Sequence, residues 1–328
     1  MSRQKLIIQI PCWNEERTLA ITLRELPRRV PGFAKVEWLV VDDGSTDLTV
    51  EVARAHGVDH VLELKVHQGL ARAFMEGLEH SLKLGADVIV TTDADNQYYA
   101  GDIPNLIRPI LERRAELVIG ARPIAQTRHF SFLKKSLQRL GSAIVRRMSG
   151  TLVRDAPSGF RAITREAALR MNIFSEYTYT LESILQAGAK GIPVVSVPIR
   201  TNADLRPSRL VRSISSYVRR SAVTLLKIFM TYQPMKTFLW ISAVPITAGV
   251  LLGVRWLLLF YGKGHAQALP SLILASVLLL AGFQMCVFAF LAELLSVNRR
   301  LTEDVQLRVK RVELGMAQES DDRARMAG

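Results

Sequence analysis

At 328 residues and 49% apolar content, the chain can bury a full core and has length left over for something else. Its formal net charge of +13 would suit nucleic acid if it were evenly spread, but residues 205–292 contain no Asp or Glu, while Arg206, Arg209, Arg212, Arg219, Arg220, Lys227 and Lys236 crowd ahead of a long apolar run. Anionic lipid explains the charge better than nucleic acid, and two cysteines, Cys12 and Cys286, exclude a disulfide framework.

Apolar periodicity predicts the elements in order. Residues 6–10 read as a strand, too short and too soon broken by Pro11 to be a secretory signal. Residues 15–26 follow as a helix, 36–41 as a strand, 46–55 as a helix and 60–64 as a third strand. Residues 70–84 have helical spacing, 88–97 form an apolar run that ends in polar residues, 103–113 are helical, 117–121 are a further strand and 177–189 an amphipathic helix. Strand alternating with helix predicts an α/β fold with a mainly parallel, Rossmann-like sheet covered on both faces.

Ligands of such sheets bind beyond the carboxyl ends of the strands, so chemistry is expected in the turns there. After the first strand, Pro11-Cys-Trp-Asn-Glu15 offers an aromatic face, an amide and a carboxylate. After the second, Asp42 or Asp43 is placed to accept hydrogen bonds from a ribose or base, with Gly44 permitting a tight turn and Ser45 or Asp47 capping the next helix. Gln68 and Gly69 add a side-chain amide and a close backbone approach. After the central strand come Asp93 and Asp95. In extended chain, residues i and i+2 share a face, so both carboxylates, backed by the Gln97 carbonyl oxygen, can converge on a hard divalent cation whose natural cargo is a diphosphate. The plain alternative is a solvated turn.

Residues 238–261 and 268–292 are each long enough to cross about 30 Å of hydrocarbon. Arg255, near the far end of the first, can snorkel to the headgroups rather than carry the roughly 3 kcal/mol cost of a central charge. The linker 262–267 allows only a tight hairpin, and the flanking cations place both flanks in the cytoplasm. Expected boundaries are a catalytic domain over residues 1–205, a basic amphipathic juxtamembrane helix over 206–236, two transmembrane helices over 237–295 and a cytoplasmic tail over 296–328. In the tail, Leu301, Val305, Val309 and Val312 offer one face for pairing with another subunit, and residues after 317 are expected to be disordered. Gly249 and Gly253 fit a small-xxx-small helix crossing.

The motifs Pro11-Cys-Trp-Asn-Glu-Glu16, Val41-Asp-Asp-Gly-Ser-Thr-Asp47, Asp93-Ala-Asp-Asn-Gln97, Gly120-Ala-Arg122 and Ser158-Gly-Phe-Arg161 occur in this order. Over about residues 5–210 the chain thereby resembles the inverting family-2 glycosyltransferases of the GT-A fold, and within them the dolichol-phosphate mannose synthase and polyprenyl-phosphate glycosyltransferase branch. The apolar hairpin is similar to the membrane anchor of bacterial members. The resemblance implies that Pro11, Trp13, Glu15, Asp43, Asp93, Ala94 and Asp95 contact a nucleotide sugar, and that Asp93, Asp95 and Gln97 hold Mg2+ or Mn2+. It puts Arg122 and Arg161 near the acceptor, with Lys134 and Lys135 on the segment between. Arg206-Pro-Ser-Arg-Leu210 looks like the late Ser-Lys-Leu motif, which would bring Arg209 onto the donor diphosphate. Trp13 stands where Tyr is common and Asn96 where Leu is common, which leaves the donor open between UDP- and GDP-linked sugars.

The activity so implied is metal-dependent, inverting transfer of a hexose to undecaprenyl or dolichyl phosphate. The Gln-x-x-Arg-Trp motif of processive synthases is absent, which favours transfer of a single sugar. An acceptor phosphate is already anionic at neutral pH and needs little general-base help. An enzyme of the same fold acting on a membrane-embedded sugar hydroxyl would need a base, for which Glu182 is the candidate. A catalytically silent scaffold that binds nucleotide or lipid is the alternative from another class; the intact Asp93, Asp95 and Gln97 set speaks against it.

Overall fold

The computed structural model describes residues 4–123, 132–173, 179–203, 223, 226, 227, 230, 232–263 and 269–326, with side chains left aside at 132–140, 262, 263 and 316–326. The chain divides into two compact units, Met1–Ile214 with Leu307–Gly328, and Ser215–Gln306.

In the first unit, β1 (Lys5–Cys12), β2 (Lys35–Asp42), β3 (His60–Glu63) and β4 (Val88–Thr91) pair in parallel in the spatial order β3-β2-β1-β4. A four-residue strand, β6 (Arg161–Thr164), then runs antiparallel to β4 on one side and to β5 (Leu117–Ala121) on the other. The sheet closes with β7 (Val194–Pro198), parallel to β5. Leu6, Ile7, Ile8 and Ile10 are all fully buried, so β1 is covered on both faces, as a near-continuous apolar strand requires. On one face Leu6, Ile8, Val40 and Val90 share a core with Leu19 and Leu23 of α1 (Leu19–Glu25) and Leu106 of α4 (Ile103–Leu111). The other face carries α3 (Leu70–Lys83), which approaches closely at Gly77: a Cβ there would lie 2.6 Å from Gln9 Oε1 and 2.9 Å from a Val41 methyl.

The helices α1 and α2 (Thr49–Ala55) begin three or four residues later than periodicity suggests. The missing turns are used to tie the first two site loops together. Asn14 N–H donates to Ser45 Oγ at 2.9 Å, Thr46 N–H to Asn14 Oδ1 at 2.8 Å and Glu15 N–H to Thr49 Oγ1 at 2.8 Å. Ser45 therefore caps no helix, whereas Asp47 Oδ1 accepts the Thr49 N–H at 3.1 Å. Among the described residues this unit also holds α5 (Phe132–Ser149), α6 (Arg165–Leu169) and α7 (Tyr179–Ala189).

The second unit is built from α8 (Pro234–Lys263) and the greater part of α9 (Leu269–Met326). By length and composition Pro234–Tyr261 and Leu269–Gly315 can each cross a membrane. Their large side chains point outward, with Trp240 78%, Phe283 65% and Phe290 64% exposed. Small residues make the crossing: Cys286 Sγ donates to Ser242 Oγ at 3.4 Å, and a Cβ on Gly249 would meet Leu279 at 2.9 Å. Gly253 has nothing within 4 Å of where its Cβ would be, so of the Gly249 and Gly253 pair only the first serves this contact. The expected disorder after residue 317 is corrected: α9 continues to Met326 through Ala, Gln, Glu and Arg, all good helix formers. The linker at 264–268 and most of the basic stretch 206–236 lie outside the described residues.

Candidate active site

The strand β4 ends at Thr91, and residues 93–96 fold as a turn rather than as extended chain. The expected alternation that would align Asp93 with Asp95 is thus replaced by a bend. Asp95 Oδ1 accepts the Gln97 N–H at 3.2 Å, and Asn96 takes a left-handed φ of 56°. Neighbours hold the bend from both sides. Thr22 of α1 donates its hydroxyl to the Ala94 carbonyl at 2.9 Å, while Asn202 donates its N–H to Gln97 O at 2.9 Å and its side-chain amide to Asn96 O at 3.1 Å.

Behind Asp93 stands a group that sequence reasoning missed. Gly159 N–H donates to the Tyr98 hydroxyl at 2.8 Å, and the Tyr179 hydroxyl donates to Gly159 O at 3.3 Å. A Cβ on Gly159 would come within 2.9 Å of Asp93 Oδ1 and 3.1 Å of the Tyr179 hydroxyl. Burial, and next the Asp93 charge, push the hydroxyl pKa values of Tyr98 and Tyr179 well up, so both remain hydrogen-bond donors. Their traces in the sequence are slight: Tyr98 directly follows Gln97, and Gly159 lies within Ser158-Gly-Phe-Arg161.

At the ends of β1 and β2 the expected donor residues come together. Asp43 is 2% exposed, and its carboxylate accepts the N–H groups of Gln68 at 2.7 Å and Gly69 at 2.8 Å, with His67 Nδ1 2.8 Å away. Asp43 therefore builds the loop that precedes α3. Asp42 differs: its Oδ2 accepts the Ser45 N–H at 3.0 Å, while buried Oδ1 has no hydrogen-bond partner in the protein. A buried acceptor left this way is costly, and a ligand hydroxyl or amide would satisfy it. Trp13 is 41% exposed and stacks on His67, ring centroids 4.1 Å apart and planes 18° from parallel. Pro11 is buried at the end of β1, Gln68 is exposed, and Glu15 is buried, accepting the Thr18 hydroxyl at 2.8 Å. Burial raises the Cys12 thiol pKa, and the carboxylates of Glu15, Asp42, Asp47 and Asp93 raise it further. An acidic field thus gathers at the carboxyl ends of β1, β2 and β4.

Among the described residues no three His, Cys, Asp or Glu converge as a ready metal cage. The donor set that fits a cation here is two carboxylates, Asp93 and Asp95, with the Gln97 amide beside them. It suits a small hard ion that keeps waters and shares substrate phosphates, as Mg2+ does, better than a fully caged one.

The cations sort differently from expectation. Arg122 forks onto Asp155, with Nε donating to Oδ2 at 2.7 Å and an Nη to Oδ1 at 3.1 Å. Burial opposes its charge, but the surroundings, with Asp155 and Asp93 among them, outweigh it and raise the pKa. Arg161, expected near the acceptor, turns into the protein. It is 2% exposed, with Nε donating to Ser158 O at 2.8 Å and the two Nη to Ser183 Oγ at 2.5 Å and Ala156 O at 2.8 Å. Its guanidinium is committed to protein oxygens, and burial lowers its pKa. Glu182, on α7, is buried at 4% exposure rather than lying on a helix surface. The side chains of Lys134 and Lys135, and all of Arg209, lie outside the described residues.

The chain is 29% identical over 205 residues to an undecaprenyl-phosphate mannosyltransferase from Micrococcus luteus, covering 60% of this chain and 82% of that one. It is 29% identical over 226 residues to a UDP-N-acetylglucosamine–dolichyl-phosphate N-acetylglucosaminyltransferase from Methanococcus voltae, covering 61% and 87%. Its fold matches glucosyl-3-phosphoglycerate synthase from Mycobacterium tuberculosis, solved with Mn2+, UDP-glucose and phosphoglyceric acid, at a TM-score of 0.56 and 22% identity over 69% of this chain and 79% of that one. The family profile of Glycosyl transferase family 2 matches residues 7–170, half of the chain and the whole stretch from β1 through α6 that builds the acidic turns. The chain belongs to glycosyl transferase family 2.

Proposed function

We propose that this glycosyltransferase moves a single hexose, with inversion, from a UDP- or GDP-linked sugar to a polyprenyl phosphate at the cytoplasmic face of a membrane. The observation that carries the proposal is the meeting of the Asp93–Asp95 bend with the Asp42 and Trp13 loops at one sheet edge, in a chain whose relatives are named for lipid-phosphate acceptors. Trp13 offers its face to the base, and the unpartnered Asp42 Oδ1 accepts from the base or ribose. Asp93, Asp95 and Gln97 would hold Mg2+ or Mn2+, which supplies charge neutralisation for the departing nucleoside diphosphate. Tyr98 and Tyr179 both bond Gly159, whose Cα lies close against the Asp93 carboxylate and limits the room it has to turn. Arg122 orients an anionic acceptor without carrying a full uncompensated charge, because Asp155 shares it. Lys134, Lys135 and Arg209 are assigned to the acceptor and donor phosphates. The basic stretch 206–236 supplies positive charge that suits an anionic leaflet, and residues 237–295 anchor the chain in the membrane.

The full chain in mixed micelles, given radiolabelled UDP- and GDP-sugars, polyprenyl phosphate and Mn2+, should form labelled lipid extractable into organic solvent. Asp95→Ala should reduce the rate at least about 100-fold. Glu182→Gln should change it less than about threefold, because an acceptor phosphate needs no strong base. Labelled product from a membrane-embedded sugar alcohol, lost in Glu182→Gln, would favour a hydroxyl acceptor instead. No labelled lipid from any donor would refute the proposal.

A further inference from the structure

The last part of α9, Leu307 onward, belongs to the same compact unit as the catalytic sheet. Leu307, Lys310 and Leu314, spaced as one helical face, are its sheltered positions, while Val305, Val309 and Val312 are exposed. Between Leu314 and the α3 residues Leu78 and Leu82 a cavity of about 220 Å³ remains. Apolar packing therefore does not by itself set the register of this segment, and two polar ties do. Arg311 pairs with Glu166 at 2.5 Å, both side chains about half exposed. Lys310 Nζ donates to Asn172 Oδ1 at 3.1 Å.

The two ties lead to different places. Glu166 sits at the surface in the first turn of α6. Asn172 leads inward: its N–H donates to Gln186 Oε1 at 3.0 Å, and its carbonyl accepts from Gln186 Nε2. Gln186 is fully buried on α7, and its Nε2 also points to Glu182 Oε1, one turn earlier, at 3.4 Å. The same helix carries Tyr179, which bonds Gly159 behind Asp93, and Ser183, which accepts from Arg161. A buried amide bonded at both its oxygen and its nitrogen sets the rotation of the helix that bears it, and a network of this kind is costly when partly broken.

We propose that Lys310 is a positioning residue for the transfer reaction, acting through Asn172 and Gln186 to set α7 and with it Tyr179, which bonds Gly159 behind Asp93. The proposal rests on the assignment of the site above and adds to it a contribution from the far end of the chain.

The test uses the full-length protein with Lys310→Met, which keeps the stem and removes the donor, Lys310→Arg as the conservative rescue, and Arg311→Ala as a cut of the surface tie on the same helix. Hydrogen exchange of the α7 amides reads positioning without any substrate. Lys310→Met should speed exchange around Glu182 and Gln186 at least about fivefold, leave β1 and β2 unchanged and lower kcat about fivefold to twentyfold with donor KM within about twofold. Lys310→Arg should restore both, and Arg311→Ala should alter neither. Equal exchange in Lys310→Met and Arg311→Ala, loss of protection throughout the unit, or a change in KM alone would overturn the proposal. A wild-type protein that transfers no sugar would refute the proposed function, while α7 exchange would still decide the role of Lys310.

Discussion

Two arginines from similar motifs have opposite fates, and the contrast is one of side-chain partners. Arg122 is 14% exposed at the rim and shares its charge with Asp155, which leaves it able to meet an anion. Arg161 is sealed, and its donors go to the Ser158 and Ala156 carbonyls and the Ser183 hydroxyl, all of them buried. Replacing it by Met should therefore destabilise the fold by about 3 kcal/mol or more, because several buried acceptors lose their donor together. Denaturant titration of the variant checks this. Unchanged stability with a raised acceptor KM would return Arg161 to the acceptor set.

At the level of elements, the site edge is held by cross-ties from distant segments. Past β7, Arg200 and Asn202 lie along residues 97–99: Tyr99 N–H donates to Arg200 O at 3.4 Å, Asn202 braces the Asp95 bend, and Arg200 pairs with buried Asp102 at 2.7 Å. This brace joins the Asp93–Gln97 turn to the segment that follows β7. The opposite edge of the sheet is tied by charge. Glu37 on β2 accepts from Lys5 at 2.6 Å and from Lys35, and pairs with His60 of β3 at 2.8 Å. Burial opposes its ionisation, but the bonds from Lys35, Lys5 and His60 outweigh it and take its pKa down to about 2 from 4.5. A depressed carboxylate pKa contributes stability that is complete above pH 4.5 and disappears as pH falls through about 2. Glu37→Gln should accordingly lower stability by at most about 3 kcal/mol at pH 6, with the difference from wild type closing between pH 4.5 and 2. Melting temperatures of both proteins across that range measure it. A difference constant with pH would exclude the charge cluster as its origin.

For the whole molecule, the outward-facing apolar side chains of α8 and α9 call for a cover other than water. Trp240, Leu251, Phe283 and Phe290 are each more than 60% exposed, a surface that water would penalise by about 25 cal/mol for every Å². Membranes carrying the chain, washed with alkaline carbonate, should retain it in the pellet. Release into the supernatant would mean that protein rather than lipid covers these helices. The first unit, by contrast, has an interior of its own and includes the tail beyond Leu307, a segment remote in sequence from the Glu166 and Asn172 it is tied to.

Much of the α/β core was legible because its signals are local. The period-two or continuous burial of residues 6–10, 36–41 and 88–91 marks strands, and the acidic turns follow them directly. The apolar runs near 238–261 and 268–292 announce membrane-length helices by composition alone. Less visible was β6: four residues, Arg161–Thr164, fall below the length at which periodicity speaks, and its antiparallel place between β4 and β5 depends on pairing across some 40 and 70 residues of chain. The sequence by itself determined that carboxylates, an aromatic face and a side-chain amide stand in the turns that follow the first strands, and the resemblance of its motifs gave that order a meaning. Only the tertiary structure decided which of them are spent on the protein itself. Arg161 and Asp43 turn inward, Asp42 keeps an open acceptor, and Gly159 brings two tyrosines up to Asp93. The reason is that burial and hydrogen-bond partnership are properties of contacts made between distant segments, and no window of neighbouring residues contains them.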